Sequence, residues 1–385
     1  MTKIDKLIIE LCPDGVEYKS IREIAEVGTG NSNGNESVDN GLFPFFVRSQ
    51  TIKSKDDYEY DEEAIIIPGE GGIGEIFHYI NGKYALHQRV YRIHFIVEDV
   101  NTKFAYYYMQ AYFKPFILKK AVSATVTSIR KPMIEDFPLP VPPLPVQREI
   151  VRILDNFTEL TTELTTELTA RRKQYSYYCS QLLQGTTRTY EMIPLSDLAQ
   201  FTYGYTDKAK DFGTARFIRI TDITDNGALN PDDAKYINLD NESEKYLLHS
   251  GDIVVARTGA TYGKTLYIPD DSPAVYASFL IKIALDNNRI LNRYYWHFAQ
   301  SGLYWAQATK LVSTGGQPQF NTGAISRVRV PVPSIEEQAR IVSILDRFDA
   351  LCNNLTSGLP AEIEARKKQY EYYRDKLLTF KEKTS

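Results

Sequence analysis

The sequence has few of the residues that build metal sites or disulfides. Its 385 residues include three cysteines and five histidines. Cys12, Cys179 and Cys352 stand far apart, with no CxxC pair and no histidine at metal-ligand spacing. Neither a zinc site nor a disulfide framework is therefore predicted. This pattern of cysteine usage is typical of a reducing cytosol.

Long hydrophobic runs are also missing. The first residues, MTKIDKLIIELCPDG, lack the apolar stretch of a signal peptide. No window approaches the roughly 18 uninterrupted apolar residues of a membrane-spanning helix. With 43% hydrophobic and 12% aromatic residues, the chain can nevertheless fill the cores of two packed domains. We therefore expect a folded, soluble and cytoplasmic protein without a membrane segment.

Catalytic and cofactor signatures are absent as well. There is no Asn-Pro-Pro-aromatic or Asp-Pro-Pro-aromatic tetrapeptide for amino methylation of a base, no FxGxG loop and no helicase phosphate loop. Residues 69–74 (GEGGIG) fit the pattern GxGxxG, but a predicted strand and turn follow instead of the helix that a dinucleotide site needs. Residues 258–265 (TGATYGKT) resemble a phosphate loop whose first glycine is replaced. We expect no cofactor in this chain and no enzymatic activity.

A surplus of basic residues is missing too. The chain has 45 lysines and arginines against 49 acidic residues, whereas a protein that binds DNA unaided usually carries excess positive charge. The average conceals two acid-free stretches, 100–134 and 287–335. Their recurrence at equivalent places of a repeat favours a selected basic surface over scattered charges. The cations of these stretches are Lys103, Lys114, Lys119, Lys120, Arg130, Lys131, Arg289, Arg293, Lys310, Arg327 and Arg329.

The chain contains one module twice. Residues 141–155 (VPPLPVQREIVRILD) recur as 332–346 (VPSIEEQARIVSILD), and residues 172–178 (RKQYSYY) recur as 367–373 (KKQYEYY). The interval between the two segments is longer in the second copy by one group of four residues. Weaker similarity extends back through each preceding region. The duplication therefore spans almost the whole chain, with a joint near residues 184–189.

Each repeated segment begins with a proline-rich elbow and continues as a predicted helix. Apolar residues recur at intervals of three and four, as in heptads with extra four-residue steps. Residues 157–168 (FTELTTELTTEL) keep their leucines in this seam, although a low-complexity linker is the alternative. The pattern predicts a helix over 146–183, about 57 Å long, that pairs antiparallel with its counterpart. Gly358 and Pro360 predict a kink in the second helix.

The regions before the helices, here called the heads, have a mixed pattern. Strands are predicted at 64–67, 91–96, 253–255 and 279–283, with a hairpin turn at Asn81 and Gly82. Helices are predicted at 103–113 and 293–306, with aromatic faces that we expect to lie in the core. The predicted fold class is α+β, in which two mixed α/β heads are joined by two long helices. These helices form an antiparallel coiled coil within a pseudo-twofold internal repeat.

Loops rich in glycine, amides, hydroxyls and arginine are the candidate binding segments of the heads. Residues 124–130 and 315–321 precede the elbows and carry groups that hydrogen-bond to base edges and phosphates. Glycine loops at 69–74 and 258–265 allow backbone to approach a phosphate, although a structural turn remains the alternative. The candidate DNA contacts are Arg48, Gly71, Gly72, Gln88, Arg89, Thr125, Thr127, Arg130, Lys131, Lys208, Lys210, Arg219, Arg257, Thr258, Gly259, Tyr262, Lys264, Gly316, Gln317, Gln319 and Asn321.

Taken together, these features resemble the specificity subunit of type I restriction-modification systems. The resemblance rests on the paired elbow helices with Gln147 and Gln338, on the Thr-Thr-Glu-Leu quartets, and on two heads of similar length and divergent sequence. It covers both halves and is most specific in the helices. It implies target recognition domains at 1–142 and 186–332, and spacer helices at 143–185 and 333–385.

The resemblance implies a non-catalytic subunit that binds double-stranded DNA sequence-specifically. Each recognition domain would read one half of a bipartite, asymmetric site, and the helices would set the gap between the halves. Two methylation subunits would dock on the helices and carry S-adenosylmethionine, while restriction subunits that translocate DNA would carry ATP and Mg. A coiled-coil adaptor that does not bind DNA is the alternative. The expected spacer and docking residues are Gln147, Ile150, Leu160, Leu164, Leu168, Gln338, Ile341, Leu351 and Leu355.

Overall fold

A computed structural model describes residues 2–120, 128–185, 190–313, 316–353 and 357–383. The chain forms two compact units: Met1–Glu163 with Glu364–Ser385, and Leu164–Ile363. Each unit therefore contains one head together with parts of both helical segments. The candidate residues Thr125, Thr127 and Leu355 lie outside the described residues.

The first unit contains a six-stranded sheet covered by helices. Its elements are α1 (Lys3–Leu11), β1 (Tyr18–Ser20), α2 (Ile21–Ile24), β2 (Ala25–Thr29), β3 (Phe43–Phe46), β4 (Lys53–Lys55), β5 (Tyr60–Pro68), β6 (His78–Leu86), β7 (Val90–Phe95), α3 (Thr102–Lys120), α4 (Lys131–Glu135), β8 (Pro138–Pro140) and the first half of α5 (Leu144–Gln184). The strand order is β2-β7-β5-β6-β3-β4, and β1 pairs with β8.

Strand β5 shows why this sheet lies at the centre of the unit. Successive side chains of a strand point to opposite faces. Ile65 and Ile67 pack into the core shared with α3 and α5, whereas Ala64 and Ile66 pack with Phe46 on the other face. All four β5 residues are fully buried. The predicted strand at 64–67 and the predicted aromatic core face of helix 103–113 are confirmed.

The predicted hairpin at Asn81 and Gly82 is wrong. Strand β6 continues through both residues, with Asn81 opposite Glu63 and Gly82 opposite Glu62 of β5. Gly82 has a φ of +124°, which a glycine can adopt inside a strand. Antiparallel pairing of β6 with residues 60–66 of β5 outweighs the local turn signal. The chain reverses instead at residues 69–77, between β5 and β6.

The second unit repeats the arrangement with shorter strands. Its elements are the second half of α5, β9 (Glu191–Pro194), β10 (Ala199–Tyr203), β11 (Ala215–Ile218), β12 (Tyr236–Ile237), β13 (Ile253–Ala256), β14 (Thr265–Tyr267), β15 (Ala274–Tyr276), β16 (Leu280–Leu285), α6 (Asn292–Ala299), α7 (Gly302–Leu311), α8 (Thr322–Ile325), β17 (Arg329–Val332), α9 (Ile335–Asn353) and the start of α10 (Leu359–Leu377). Its sheets have the orders β10-β16-β13-β14, β12-β11-β15 and β17-β9.

The helix predicted at 293–306 is two helices. Helix α6 ends before Gln300, whose side-chain amide donates to the carbonyl of Thr265 at 3.1 Å. Ser301 then caps α7 by accepting a hydrogen bond from the backbone N–H of Tyr304. Serine favours an N-cap over a helix interior because its hydroxyl competes for backbone groups. The aromatic face of α6 is buried, as predicted.

The long helix of the first repeat is continuous. Helix α5 spans 41 residues, which corresponds to about 60 Å. Within the first unit the Phe157 ring stacks on Tyr373 at 5.3 Å, and within the second unit the Tyr178 ring stacks on Phe348 at 5.7 Å. The order of these partners is reversed along the two segments. The helical segments therefore run antiparallel, as predicted.

The second helical segment is interrupted, where a kink was predicted. Helix α9 ends at Asn353 and α10 begins at Leu359. Pro360 lies in the first turn of α10, where its missing N–H costs no helical hydrogen bond. The residues that flank the interruption thus belong to two separate helices.

The apolar seam at the start of each long helix also differs from the predicted one. Fully buried positions are Val146, Ile150 and Leu154 in α5, and Ile341 and Leu345 in α9. Ile153 and Ile344, which an interval of three from Ile150 and Ile341 would place in the predicted seam, are only partly buried. The first turns of both helices pack on their own head with a spacing of four, so their buried face is rotated from a coiled-coil seam.

Candidate nucleic-acid interface

A backbone junction joins three segments of the first head. The N–H of Gly69 donates to the carbonyl of Arg89 at 3.0 Å, and the N–H of Ile129 donates to the carbonyl of Gly69 at 2.7 Å. The glycine loop after β5 is thereby held against the β6–β7 turn and the segment that precedes α4. Gly71 and Gly72 follow with φ of +76° and +74°, conformations that disfavour any side chain.

Two predicted cations of the first head share one carboxylate at this junction. Glu70 accepts hydrogen bonds from Nη1 of Arg48 at 2.8 Å and from Nη1 of Arg89 at 3.2 Å. All three side chains are exposed to solvent. The arginines lower the pKa of the Glu70 carboxyl through these hydrogen bonds. Together Arg48, Arg89 and Glu70 carry one net positive charge, and their hydrogen bonds hold the two guanidinium groups in place.

Other predicted residues of the first head lie beside the same turn. Gln88 precedes Arg89, is exposed, and donates from its amide to Oδ1 of Asn33 at 2.8 Å. Arg130 follows the junction residue Ile129 and is exposed. Lys131 is exposed as well, with its ammonium 3.6 Å from a Glu135 carboxylate oxygen. The structure therefore brings Arg48, Gln88, Arg89, Arg130 and Lys131 to one edge of this head.

The same junction recurs in the second head with different side chains. The N–H of Arg257 donates to the carbonyl of Phe279 at 3.0 Å, and the N–H of Phe320 donates to the carbonyl of Arg257 at 2.7 Å. Sheet pairing fixes the correspondence, because Pro68 faces Val90 in the first head and Ala256 faces Leu280 in the second. Arg257 thus occupies the position of Gly69, and Phe279 occupies the position of Arg89.

Arg257 is held between two aromatic rings. Its guanidinium carbon lies 5.3 Å from the ring centre of Tyr203 and 5.4 Å from that of Phe279. Its Nε donates to the carbonyl of Ser278 at 3.0 Å. Within the part of the chain that the structure describes, its two terminal nitrogens have no hydrogen-bond partner. Aromatic contact and one backbone hydrogen bond therefore fix the side chain. The two terminal guanidinium nitrogens of Arg257 stay available to bind a ligand.

The loop after Arg257 is tied to the segment before α8. The amide nitrogen of Gln319 donates to the hydroxyl of Thr258 at 2.9 Å, and the N–H of Gly259 donates to the carbonyl of Pro318 at 3.2 Å. Thr258 is only 2% exposed. Its hydroxyl is buried and already bonded to Gln319, so the contact of Thr258 with DNA stays a prediction that only the backbone of this loop could fulfil. Gly259 and Gln319 remain beside Arg257.

The other predicted residues of the loop after Arg257 and of the segment before α8 partly stabilise these two segments. Asn321 caps α8 through its side-chain oxygen, which accepts from Ala324 N–H at 3.0 Å. Tyr262 packs edge to face near the Trp305 ring at 6.1 Å. Gly316, which has a φ of +83°, and Gln317 are exposed. Gln317 therefore stays available as a contact, whereas Tyr262 is chiefly a packing residue.

Several predicted cations of the second head are already paired. Arg219 binds Asp222 at 2.8 Å and Asp233 at 3.3 Å, and Lys264 binds Asp225 at 2.6 Å. The Lys264 ammonium lowers the pKa of the Asp225 carboxyl. Arg219 thus shapes the head internally instead of presenting a free charge, through the local partner Asp222 and the more distant Asp233.

Lys208 and Lys210 lie on an exposed segment between β10 and β11. The backbone of Lys210 pairs with Tyr236, which leaves its side chain exposed. Neither lysine is joined to the Arg257 junction by a contact between described residues. Both stay predictions as phosphate contacts.

The two acid-free stretches present fewer unpaired cations than the selected basic surface predicted for them would require. Lys103 binds Asp155 at 2.7 Å, Lys114 binds Glu75, and Arg293 binds Asp346 at 2.7 Å. Each carboxylate comes from outside the stretch that carries its cation. Folding therefore neutralises these three cations.

Gln147 fastens the start of α5 to the first head. Its side-chain oxygen accepts from the N–H of Asn101 at 2.7 Å, and its nitrogen donates to the carbonyls of Asp99 at 2.7 Å and Pro142 at 2.6 Å. The residue has no exposed surface. Its amide thus satisfies three backbone groups at the elbow.

Gln338 makes the same set of contacts in the second unit. Its oxygen accepts from the N–H of Leu291 at 2.9 Å, and its nitrogen donates to the carbonyls of Arg289 and Pro333, each at 2.9 Å. It too is fully buried. Both side chains are buried within their own units, where each fastens a spacer helix to a head, and a docking role for Gln147 and Gln338 stays a prediction.

The other predicted docking residues divide by burial. Ile150 and Ile341 are fully buried in their own units and cannot contact a partner directly. Leu160 and Leu351 are 45% and 37% exposed. Leu164 and Leu168 are partly exposed. The docking prediction thus remains open for these four leucines, all of which lie on the long helices.

Replacing Gln338 by leucine is expected to destabilise the second unit strongly. The change leaves one N–H and two carbonyls buried without partners, so the free energy of unfolding should fall by about 2–4 kcal/mol. Urea denaturation followed by circular dichroism measures the effect. Gln181→Leu, at an exposed position of α5 in the same unit, is the control and should change stability by about 0.5 kcal/mol or less. Equal losses of unfolding free energy in both variants would contradict a stabilising role of the buried Gln338 contacts.

Within the part of the chain that the structure describes, no three histidine, cysteine or acidic side chains are grouped to hold a metal ion. The described helices also include none that is long and apolar enough to cross a bilayer. The GxGxxG segment is followed by β6, so it lacks the helix N-terminus that a dinucleotide site needs.

Two heads with the same backbone junction, each fastened to a long helix by a buried glutamine, define a duplicated recognition protein. Comparison with known proteins agrees with this class. The family model of the type I restriction modification DNA specificity domain matches residues 13–171 and 187–365, one match in each copy. The chain belongs to the type I restriction-modification DNA specificity family.

Individual relatives span nearly the whole chain. A putative type I restriction enzyme specificity subunit from Haemophilus influenzae is 30% identical, over 95% of this chain and 96% of the relative. A type I restriction enzyme specificity subunit from Escherichia coli is 33% identical over 63% of each chain. The crystal structure of a type I restriction-modification S subunit from M. genitalium has a TM-score of 0.64 at 15% identity, over 94% of this chain and 96% of that one. It therefore shares the fold. These findings do not favour the coiled-coil adaptor.

Proposed function

We propose that the chain is the non-catalytic subunit that selects DNA sites for a type I restriction-modification complex, each head reading one half of a bipartite site. The observation that carries this proposal is the repeated junction with exchanged side chains. Where the first head has Gly69 and Arg89, the second has Arg257 and Phe279. One backbone frame thus presents two different sets of groups, as two different half-sites require.

The chemistry of the two junctions suits DNA. Arginine donates two parallel hydrogen bonds to O6 and N7 of guanine, or to phosphate oxygens. Arg257 is held with its fork available, and Arg48 and Arg89 are held by Glu70. Fixing these long side chains beforehand reduces the entropy lost on binding. We expect Arg257 to recognise a base or phosphate of the second half-site, and the Arg48–Arg89 pair to do so in the first.

The chain's negative net charge supports action within a complex. With a formal charge of −4, it cannot supply a general excess of cations for DNA phosphates. In this proposal two methylation subunits bind the chain, supply further phosphate contacts and carry S-adenosylmethionine. Restriction subunits carry ATP and Mg. The spacer formed by α5, α9 and α10 sets the number of unread base pairs.

Reconstitution with purified methylation subunits tests the proposal. The complex should bind double-stranded DNA that contains the site, with an affinity that falls as salt rises, because phosphate contacts release counterions. The chain alone should neither methylate nor cleave the same DNA. An adaptor without a DNA role would give a complex with no salt-dependent DNA affinity, and turnover by the isolated chain would establish an enzyme.

A further inference from the structure

A cluster of charged and aromatic side chains links α3 to α5 in the first unit. The Lys103 ammonium binds Asp155 at 2.7 Å and lies 5.7 Å from the ring centre of Tyr79. The Tyr107 hydroxyl donates to the other Asp155 oxygen at 2.6 Å. One carboxylate on the helix thus holds a cation and a phenol from the head.

The second unit repeats this cluster with other residue types. Arg293 binds Asp346 at 2.7 Å and lies 5.0 Å from the ring centre of Tyr267. His297 bonds through Nε2 to Asp346 at 2.8 Å. Lysine has become arginine and tyrosine has become histidine, yet the cation, ring, carboxylate and hydrogen-bonding group hold equivalent positions. The two units thus keep this arrangement although two of its residue types differ.

Each cluster lines an open cleft within its own unit. The cleft of the first unit has a volume of about 650 Å³, and Phe77, Tyr79 and Tyr106 give it aromatic walls. The cleft of the second unit has a volume of about 550 Å³, and Tyr267 and Trp296 line it in the same way. Trp296 occupies the position of Tyr106. Both volumes accommodate several side chains.

The first cleft carries a surplus of negative charge. Three carboxylates line it, those of Asp155, Glu159 and Glu163, and Lys103 is the one lysine or arginine in its lining. His78 also lines the cleft, and burial lowers the pKa of its imidazole, which disfavours a positive charge on this side chain. Glu159 and Glu163 are exposed, and among the described residues neither has a hydrogen-bond or ion-pair partner.

The second cleft has the same sign of charge. Asp346 and Asp349 face Arg293, which stacks on Trp296 at 4.0 Å. An adjoining opening in the same unit adds Asp225, Asp232 and Arg172. Carboxylates therefore outnumber the cations in both clefts. DNA phosphates are repelled from such walls, whereas an arginine or lysine with an apolar stem fits carboxylates beside aromatic rings.

We propose that each cleft receives a basic segment of a protein partner, one partner molecule per unit. The two clefts repeat the same cluster, so they suit two copies of one partner better than two unrelated proteins. This inference rests on the proposed function, in which that partner is the methylation subunit. A cationic side chain of the partner would lie against the rings and complete the charge balance of the cleft.

Lysine substitutions at equivalent positions of the two clefts provide the test. Glu159 of α5 and Ala350 of α9 both line a cleft and are exposed. Neither takes part in the clusters that fasten head to helix. Glu159→Lys and Ala350→Lys should each block one cleft by charge and bulk without disturbing the fold. Asn156→Lys on α5 and Ala339→Lys on α9 are exposed controls outside the clefts.

The readout is the number of methylation subunits of the same restriction-modification system bound to the full-length chain without DNA, measured by native mass spectrometry. The unaltered chain and both controls should bind two. Each single cleft variant should bind one, with at least about a tenfold loss of affinity at the altered cleft. The double variant should bind none. Circular dichroism should show unchanged folding and melting temperature for all variants.

Several outcomes would overturn the inference. Two bound subunits on both cleft variants would place docking elsewhere and leave the proposed function standing. Loss of binding in the controls as well would show that the clefts have no special role. Self-association of the chain alone, abolished by the same substitutions, would identify a second copy as the occupant. An unaltered chain that binds no methylation subunit would contradict the proposed function too.

Discussion

Arg257→Ala should weaken binding to the second half-site by about 5- to 150-fold and leave the first half-site unaffected. A well-formed arginine–base contact contributes roughly 1–3 kcal/mol of discrimination, and the rings of Tyr203 and Phe279 hold this arginine in place beforehand. The effect is confined to one half-site because Gly69 occupies the equivalent position in the first head. Fluorescence anisotropy with the reconstituted complex, on DNA with either half-site scrambled, measures it.

Two further variants separate the contributions of shape and charge. Arg257→Lys keeps the charge but lacks the planar fork, so it should lose base discrimination while retaining the salt dependence of binding. Arg347→Ala removes an exposed cation from α9 of the same unit and should leave both half-sites unchanged. Equal losses of affinity at both half-sites with Arg257→Ala would contradict the prediction that Arg257 contacts only the second half-site.

Deletion of residues 161–164, one Thr-Thr-Glu-Leu quartet, should preserve both half-sites and shorten the unread gap between them. Helix α5 continues through this region. The hydroxyls of Thr161 and Thr162 donate to the carbonyls of Phe157 and Thr158, each at 2.8 Å. Four residues account for about 6 Å of helix. That length corresponds to one or two base-pair steps of about 3.4 Å.

A DNA panel with identical half-sites and graded gaps measures the deletion's effect through methylation by the reconstituted complex. Activity should move to a shorter gap and fall at the original one. Deleting only residues 161–162 is the control. Two residues turn the following helix by about 200°, which should disrupt its packing, whereas four turn it by only about 40° past a full circle. Methylation that still peaks at the original gap after the quartet deletion would end the ruler hypothesis.

The long helices could be predicted from the sequence because their periodicity extends over many turns. A stretch of 41 helical residues gives enough apolar repeats to identify its face, and the repeated elbow marks where each helix begins. The register of the first turns could not be predicted. Leu154 and Leu345 are buried because a head, and not only a helix, packs against those turns. That packing involves residues far away in the sequence.

In the heads, contacts between residues that are distant in sequence limited the predictions even more. The hairpin at Asn81 and Gly82 was wrong because pairing with β5 outweighs a two-residue turn signal. Gln147 was recognised as important, but its role depends on backbone groups of Asp99 and Asn101 that only folding brings near. Long-range partners of this kind leave no local pattern in a single sequence.

The candidate interface was predicted in part. The glycine loops and the segments before the elbows do meet, so their composition was a useful signal. The sequence did not single out Tyr203 and Phe279, because both are distant from Arg257 along the chain and meet it only in the folded head. Nor did it show that Arg219 also binds Asp233 or that Lys264 binds Asp225, because these carboxylates are distant in sequence and reach the cations only in the folded head.

The exchange of side chains at the two junctions explains how one repeat can serve an asymmetric task. In the first head the cations are Arg48 and Arg89, gathered by Glu70. In the second the cation is Arg257, held by rings. The buried glutamine contacts stay the same in both copies. The attachment of heads to helices is thus constant while the recognition surface varies.

The claim that each head reads its own half-site is tested most directly by sequencing the methylome of cells that express the chain with its methylation subunits. We predict one asymmetric motif made of two short specified blocks separated by a fixed run of unread bases. The Arg257→Ala variant should relax only one of the two blocks. A continuous or palindromic motif, or relaxation of both blocks by that single substitution, would contradict the account.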